Sequence, residues 1–132
     1  MNIFKVIIAG SRNYSDYDTL KRMCDSALAN NLGQPDVKVV IVSGHAPGAD
    51  SLGERYAKER GLDVEIYPAD WAKNGRAAGP IRNKKMAEIA DALIAFPKAG
   101  DKNRGTQNMV DTAEQMGLQI ITVDGFFSTK IK

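Results

Sequence analysis

Five short apolar runs, rich in valine and isoleucine and separated by stretches of helical periodicity, constrain this chain more than any other feature. They are "IFKVIIAG" (3–10), "VKVVIVSG" (37–44), "VEIYPA" (64–69), "DALIAFP" (91–97) and "LQIITVDG" (118–125). Their apolar residues are continuous rather than alternating, the pattern of strands covered by helices on both faces. Between them Tyr17, Leu20, Met23, Cys24, Ala27 and Leu28 form one apolar stripe at helical spacing, and Leu52, Tyr56 and Ala57 suggest a second. Ile81, Met86, Ile89 and Ala90 suggest a third, and Met109, Val110, Ala113 and Met116 a fourth. The order is therefore β-α-β-α-β-α-β-α-β.

Strands alternating with helices predict an α/β fold: a three-layer Rossmann-like sandwich around a parallel five-stranded sheet with right-handed crossovers, for which we expect the strand order 3-2-1-4-5. Gly61 and Gly117 each stand where a helix should end, a position that favours a left-handed glycine. The 132 residues suffice for one core. We expect a single domain over 1–125 and a C-terminal tail over 126–132, which frays unless Phe126 and Phe127 cover a core edge or a partner. Cys24, the single cysteine, allows no internal disulfide and fits a small buried hydrophobe. The first apolar run is far shorter than the ~20 residues of a membrane span, and no cleavage signal follows it. A cytoplasmic protein without membrane contact is expected.

In a sheet of this order, ligands bind beyond the carboxyl ends of the strands, near the point where strand order reverses. The stretches to inspect are "GSRNYSDYD", "SGHAPGAD", "ADWAKNGRAAGPIRN" and "PKAGDKNRGTQN". Gly105 and Thr106 precede a helical stretch, with Thr106 a candidate N-cap, so free amides there would favour an anion. Gly48, Ala49 and Asp50 stand similarly at the second helix. Arg12, Arg82, Lys98 and Arg104 can add charge-assisted hydrogen bonds. We expect residues 10–12 (Gly10, Ser11, Arg12), residues 44–50 and residues 105–108 to line one pocket. Phosphate would lie near the Gly105 and Thr106 amides with Arg82 close by, and Gly44, Gly48 and Gly105 would admit the ligand to the backbone.

Neither G-x-G-x-x-G nor G-x-x-x-x-G-K-[ST] is present, so the ordinary dinucleotide and P-loop fingerprints are absent. His45 fits a ligand contact or a solvent-facing loop position; a single histidine without a nearby cysteine makes no metal site. Trp71 fits a partly buried packing residue or a stacking surface for a base. Asp50, Asp101 and Asp111 are the carboxylates near the expected cleft, and Asp50 suits helix capping as well as acid/base work.

Taken together, GSR…D, SGHAPGAD, PADW…G…AGPIRN..M, ADALIAFP and NRGTQNMV..A resemble the YspA-like branch of the SLOG superfamily, relatives of Smf/DprA and LOG proteins. The resemblance runs from Ile3 to Val123. It implies a Rossmann-like domain whose glycine-rich loops bind nucleotides or nucleotide-derived ligands. LOG enzymes release a base from a nucleoside 5′-monophosphate, using an arginine on the helix before the fourth strand and a P-G-G-x-G-T-x-x-E motif after it. Arg82 matches that arginine. Pro97, Gly105 and Thr106 match the start and the G-T of the motif, with "KAGDKNR" between them, and Met109 stands where the motif has glutamate.

Methionine can neither stabilise an oxocarbenium ion nor position water. The expected function is thus binding of a nucleoside phosphate or ADP-ribose-like ligand by a sensor or sequestering module. Its expected contacts are Gly10, Ser11, Arg12, Ser43, Gly44, His45, Gly48, Ala49, Asp50, Trp71, Arg82, Asn83, Pro97, Lys98, Arg104, Gly105, Thr106 and Asn108, without a cofactor. The alternative is a LOG-like N-glycosidase with Arg82 and Asp50 as catalytic residues. DprA-like binding of single-stranded DNA is the weakest reading: lysine plus arginine exceed aspartate plus glutamate only 18 to 16, a net charge of +2, with few aromatics to stack on bases. Relatives commonly pair, which implies a homodimer; Met86, Met109 and Met116 fit either a core or a subunit interface.

Overall fold

The computed structural model describes residues 1–123; the expected tail, with Phe126 and Phe127, lies outside the described residues. Five strands, β1 (Asn2–Gly10), β2 (Val37–Ser43), β3 (Asp63–Ile66), β4 (Ala92–Phe96) and β5 (Gln119–Thr122), alternate with α1 (Tyr17–Ala27), α2 (Ala49–Arg60), α3 (Trp71–Asn74), α4 (Ala78–Ile89) and α5 (Arg104–Gln115). The strands form one sheet in the order β3-β2-β1-β4-β5, every pair parallel. The α/β sandwich and the reversal of strand order between β1 and β4 are those expected.

Continuous apolar runs are required because each strand feeds two cores. Along β1, Val6 and Ile8 join Leu20, Cys24, Leu28 and Tyr56 in the layer under α1 and α2. Ile7 and Ala9 join Met86, Met109 and Ala113 under α4 and α5. All four β1 residues are buried, so polar alternation on this strand would leave one layer without its core. Cys24 is fully buried. Gly61 and Gly117 take left-handed φ values of 68° and 77° at the ends of α2 and α5.

Two local expectations need correction. Thr106 does not cap α5. The cap position is Asn103, in the left-handed region at φ 53°, and Thr106 is the third residue of the helix. Asparagine tolerates that conformation, and its amide shapes the preceding loop, which a threonine cap could not do. On α4, Met86 and Ala87 are buried, whereas Ile81 and Ile89 are 40% and 38% exposed. The short α3 and a 3₁₀ turn over Gly75–Ala77 turn the chain before α4, so the buried face is rotated from the expected stripe.

Candidate functional site

At the carboxyl end of β1 the chain turns through Gly10 and Ser11, and three other segments close on that turn. The Ser11 amide donates to Phe96 O at 3.0 Å and the Ala49 amide to Ser11 O at 3.1 Å, joining β1 to β4 and to the start of α2. Ser11 Oγ donates to Asp101 Oδ2 at 2.6 Å, and Asn13 Nδ2 reaches the same oxygen at 3.2 Å. These hydrogen bonds hold the Asp101 carboxyl below the usual aspartate range. Close packing needs glycine here. A Cβ on Gly10 would stand 2.3 Å from Phe96 O, and one on Gly48 2.2 Å from Ser11 O.

Above this floor opens a cavity of about 570 Å³, within the several-hundred Å³ range of small-molecule sites. All three segments expected to share a pocket contribute to it: Gly10, Ser11 and Arg12; Ala46 and Asp50; Gly105, Thr106 and Asn108. Trp71, Arg82, Asn83 and Arg104 line it as well. Ser43, Gly44, His45, Gly48, Ala49, Pro97 and Lys98 do not. Ser43 is buried and donates to Glu54 Oε2 at 2.7 Å. His45, at φ 60°, turns its Nδ1 to the same carboxylate at 3.0 Å. A Cβ on Gly44 would meet Arg82 Nη1 at 2.4 Å and Asp50 Oδ2 at 2.8 Å. Gly44 and Gly48 therefore give way to protein atoms, whereas a Cβ on Gly105 would have nothing within 4 Å.

Asn13, Arg76, Gly79, Pro80, Met86, Lys102, Asn103 and Met109, outside the expected contacts, also border the cavity. Asn103 was legible as a helix-start asparagine. Its Nδ2 donates to Lys98 O and Asp101 O at 2.9 and 3.0 Å, and its Oδ1 accepts the Lys98 amide at 3.0 Å. The loop is thereby folded so that α5 begins at the cavity. The first intrahelical bond of α5 runs from the Gln107 amide to Asn103 O, so the amides of Arg104, Gly105 and Thr106 precede it and face outward without a helical partner.

Arg12, Arg76, Arg82, Lys102 and Arg104 bring five cations to the cavity against two carboxylates, Asp50 and Asp101. A chain of net charge +2 thus concentrates positive charge at one edge of its sheet. Arg82 is held in place: Nη1 donates to Gly44 O at 2.6 Å, and Nε to Asn83 Oδ1 at 2.9 Å. Asn83 Nδ2 donates in turn to Asn108 Oδ1 at 2.9 Å, tying α4 to α5. Burial lowers the Arg82 pKa, opposed by the nearby Asp50 charge, but an arginine so placed stays protonated. Burial pushes the Asp50 carboxyl up to about 6, against the Ala46 amide and Arg82, which favour its ionised form. Arg12 lies 5.4 Å from the centroid of the Trp71 ring, which is 49% exposed.

Comparison with known proteins agrees with this architecture. The profile of a family described as "YspA, cpYpsA-related SLOG family" matches residues 4–74. The Gene 61 protein of Mycobacterium phage D29 is 34% identical over 123 residues, covering 89% of this chain and 94% of that protein. DNA processing protein A (DprA) from Streptococcus pneumoniae superposes with a TM-score of 0.67 at 16% identity, over 92% of this chain. The present chain spans 50% of that structure. The protein TM1055 superposes with a TM-score of 0.61 at 18% identity, over 95% of this chain and 75% of its own. Among the described residues, no helix is long and apolar enough to cross a membrane.

Proposed function

The chain belongs to the YspA, cpYpsA-related SLOG family, and from that premise we propose that it binds a nucleotide or nucleotide-derived ligand in this cavity, as a sensor or sequestering module. One observation carries the reading. The outward amides of α5, five cations and an exposed tryptophan border a single space of about 570 Å³. Amides at a helix start favour an anion, arginines bind phosphate oxygens bidentately, and an indole face suits a base. The phosphate belongs at Gly105 and Thr106, with Arg82 and Arg104 beside it and the base toward Trp71 and Arg12.

Thermal melts with nucleoside monophosphates, cyclic nucleotides and ADP-ribose at millimolar concentration test the proposal. A ligand at a hundred times its Kd stabilises by about 2.7 kcal/mol, a readily measured rise in Tm. The absence of any rise across the panel would overturn it.

A second reading rests on Asp50. Its carboxyl is 5% exposed, borders the cavity near Arg82, and its pKa of about 6 suits general acid/base work near neutrality. Met109, at the LOG glutamate position, is only 1% exposed and packs in the core, so Asp50 would have to supply the carboxylate for N-glycosidic cleavage. Chromatography of nucleoside monophosphates incubated with the protein would reveal free base. The enzyme reading requires base release that Asp50→Asn and Arg82→Ala abolish in folded protein; binding without release leaves the module reading alone.

A further inference from the structure

The main cavity gathers cations, yet one carboxylate at its border is paired with none of them. Asp101 lies in "KAGDKNR", residues 98–104, and borders the cavity. Its position is fixed from two sides. Ser11, 6% exposed, accepts the Asn13 amide on Oγ at 3.1 Å, so its single proton goes to Asp101 Oδ2 at 2.6 Å. Asn13 Nδ2 donates to the same oxygen. On the other side, the Asp101 carbonyl accepts Asn103 Nδ2 at 3.0 Å. The protein thus occupies Oδ2, while Oδ1 takes no hydrogen bond. Among the described residues, no lysine or arginine stands within ion-pairing distance of this carboxylate.

An ionised carboxylate beside an anion site works against binding, because it repels the phosphate that the amides and arginines attract. It suits a ligand that brings donors of its own. The hydrogen bonds on Oδ2 hold Asp101 below the usual aspartate range, so at neutral pH Oδ1 only accepts, and its two lone pairs match two adjacent hydroxyls. One neighbour, Ser11, precedes the Arg12 that lies over Trp71. The other, Asn103, precedes the amides of α5. Asp101 therefore stands between the places proposed for base and phosphate, where a nucleotide carries its sugar. Resting on the nucleotide reading of the main cavity, we propose that Asp101 is the specificity-determining residue for the sugar: Oδ1 accepts from a vicinal diol, and the site selects ribonucleotides over 2′-deoxyribonucleotides.

Calorimetric titration of the common ribonucleoside 5′-monophosphates and their 2′-deoxy counterparts tests this on the wild type and Asp101→Asn, with folding checked by circular dichroism. Asparagine keeps an oxygen for Ser11 and Asn13, so the tie between the two loops survives the exchange. In the wild type, the nucleotide that binds should bind about tenfold more tightly with its 2′-hydroxyl than without it, the effect of one hydrogen bond to a charged group. Asp101→Asn should shrink that ratio to about twofold. It should also leave the 2′-deoxynucleotide bound as tightly as before or more so, because a charge that repels phosphate is gone. A residue that only holds the loop would weaken both sugars alike. Equal affinity for the two sugars in the wild type, or an unchanged ratio in folded Asp101→Asn, would overturn the assignment. A preference among bases that Asp101→Asn erases, with the two sugars bound equally throughout, would give the carboxylate to the base instead. If no nucleotide of the set binds, the nucleotide reading itself fails, and the sugar assignment with it.

Discussion

In the turn after β2 the polar groups are used by the protein itself. The His45 amide donates to Ser43 Oγ, the Ala46 amide to Asp50 Oδ2, and the Ala49 amide, which opens α2, to Ser11 O. In the turn after β4 the same kinds of group are left outward: Asn103 closes the loop beneath, and the first amides of α5 face the cavity. Both turns bear glycine and both precede a helix. One helix start is a joint between loops; the other leaves its first amides outside the helix's own bonding, at the edge of the cavity. A glycine-rich turn at a helix start is thus not by itself a phosphate loop, and what distinguishes the two cases is whether another part of the chain reaches the amides first.

Replacing the glycine of each turn should break this contrast most visibly. Gly48 lies at φ 79°, and a Cβ there would meet Ser11 O and the Arg12 carbonyl. Backbone strain and overpacking together predict that Gly48→Ala destabilises by about 3 kcal/mol, or roughly 10 °C in Tm for a chain of this size. A calorimetric melt of the unliganded protein checks it. A shift under one degree would show that the turn after β2 is not a joint.

Next in size is Asn103, on which the open turn depends. Asn103→Ala loses three hydrogen bonds and places alanine in the left-handed region, so a loss of about 2 kcal/mol and weaker nucleotide binding are expected. Asn103→Gly restores the backbone preference but not the bonds. It should recover part of the stability and little of the affinity, measured by melts and titration side by side.

Gly105→Val separates binding from folding. A Cβ at 105 has nothing within 4 Å and residue 105 is exposed, so stability should stay within about 0.5 kcal/mol. A branched side chain over the α5 amides should nevertheless weaken phosphate binding about tenfold, the loss of roughly one charge-assisted hydrogen bond. Equal affinity in the folded variant would place the anion elsewhere.

The sheet could be read from the sequence because burial on both faces writes itself into continuous valine and isoleucine runs, and strand order then puts the ends of β1 and β4 together. Which residues surround the cavity could be read only where a single segment decides it, as for Arg12 or Gly105. The closure of the turn after β2 depends on Ser11, more than thirty residues away in the chain, and no local pattern shows that pairing. Arg76 enters the site because α3 and the 3₁₀ turn after it fold back over α4, where alanine and glycine in "WAKNGRAAG" suggested only a loop. Thr106 has the residue type of a common cap, but the left-handed Asn103, which organises its own loop, takes that position.

Asp50 is where the closed turn still acts on the open one, and its effect on affinity should be the smallest. Its folded pKa is about 6 against an ordinary value of 3.8. A carboxyl whose pKa is raised by folding contributes stability that is full below about pH 4 and is lost as pH rises through about 6. Asp50→Asn, which cannot ionise, should therefore gain stability relative to the wild type across that window. For anion binding the same proton removes a negative charge from the cavity as pH falls through 6. The probe must not titrate there itself, which excludes monophosphates, whose second pKa is about 6. Cyclic AMP, a diester, keeps its charge. Its affinity for the wild type should rise about two- to threefold from pH 7.5 to 5, a modest gain because the neighbouring Arg82 and Arg12 already offset the carboxylate's charge. Asp50→Asn should show the higher affinity at both pH values. A wild-type affinity that does not change with pH, or a variant that follows the same curve as the wild type, would mean that the carboxyl at 50 does not face the bound anion.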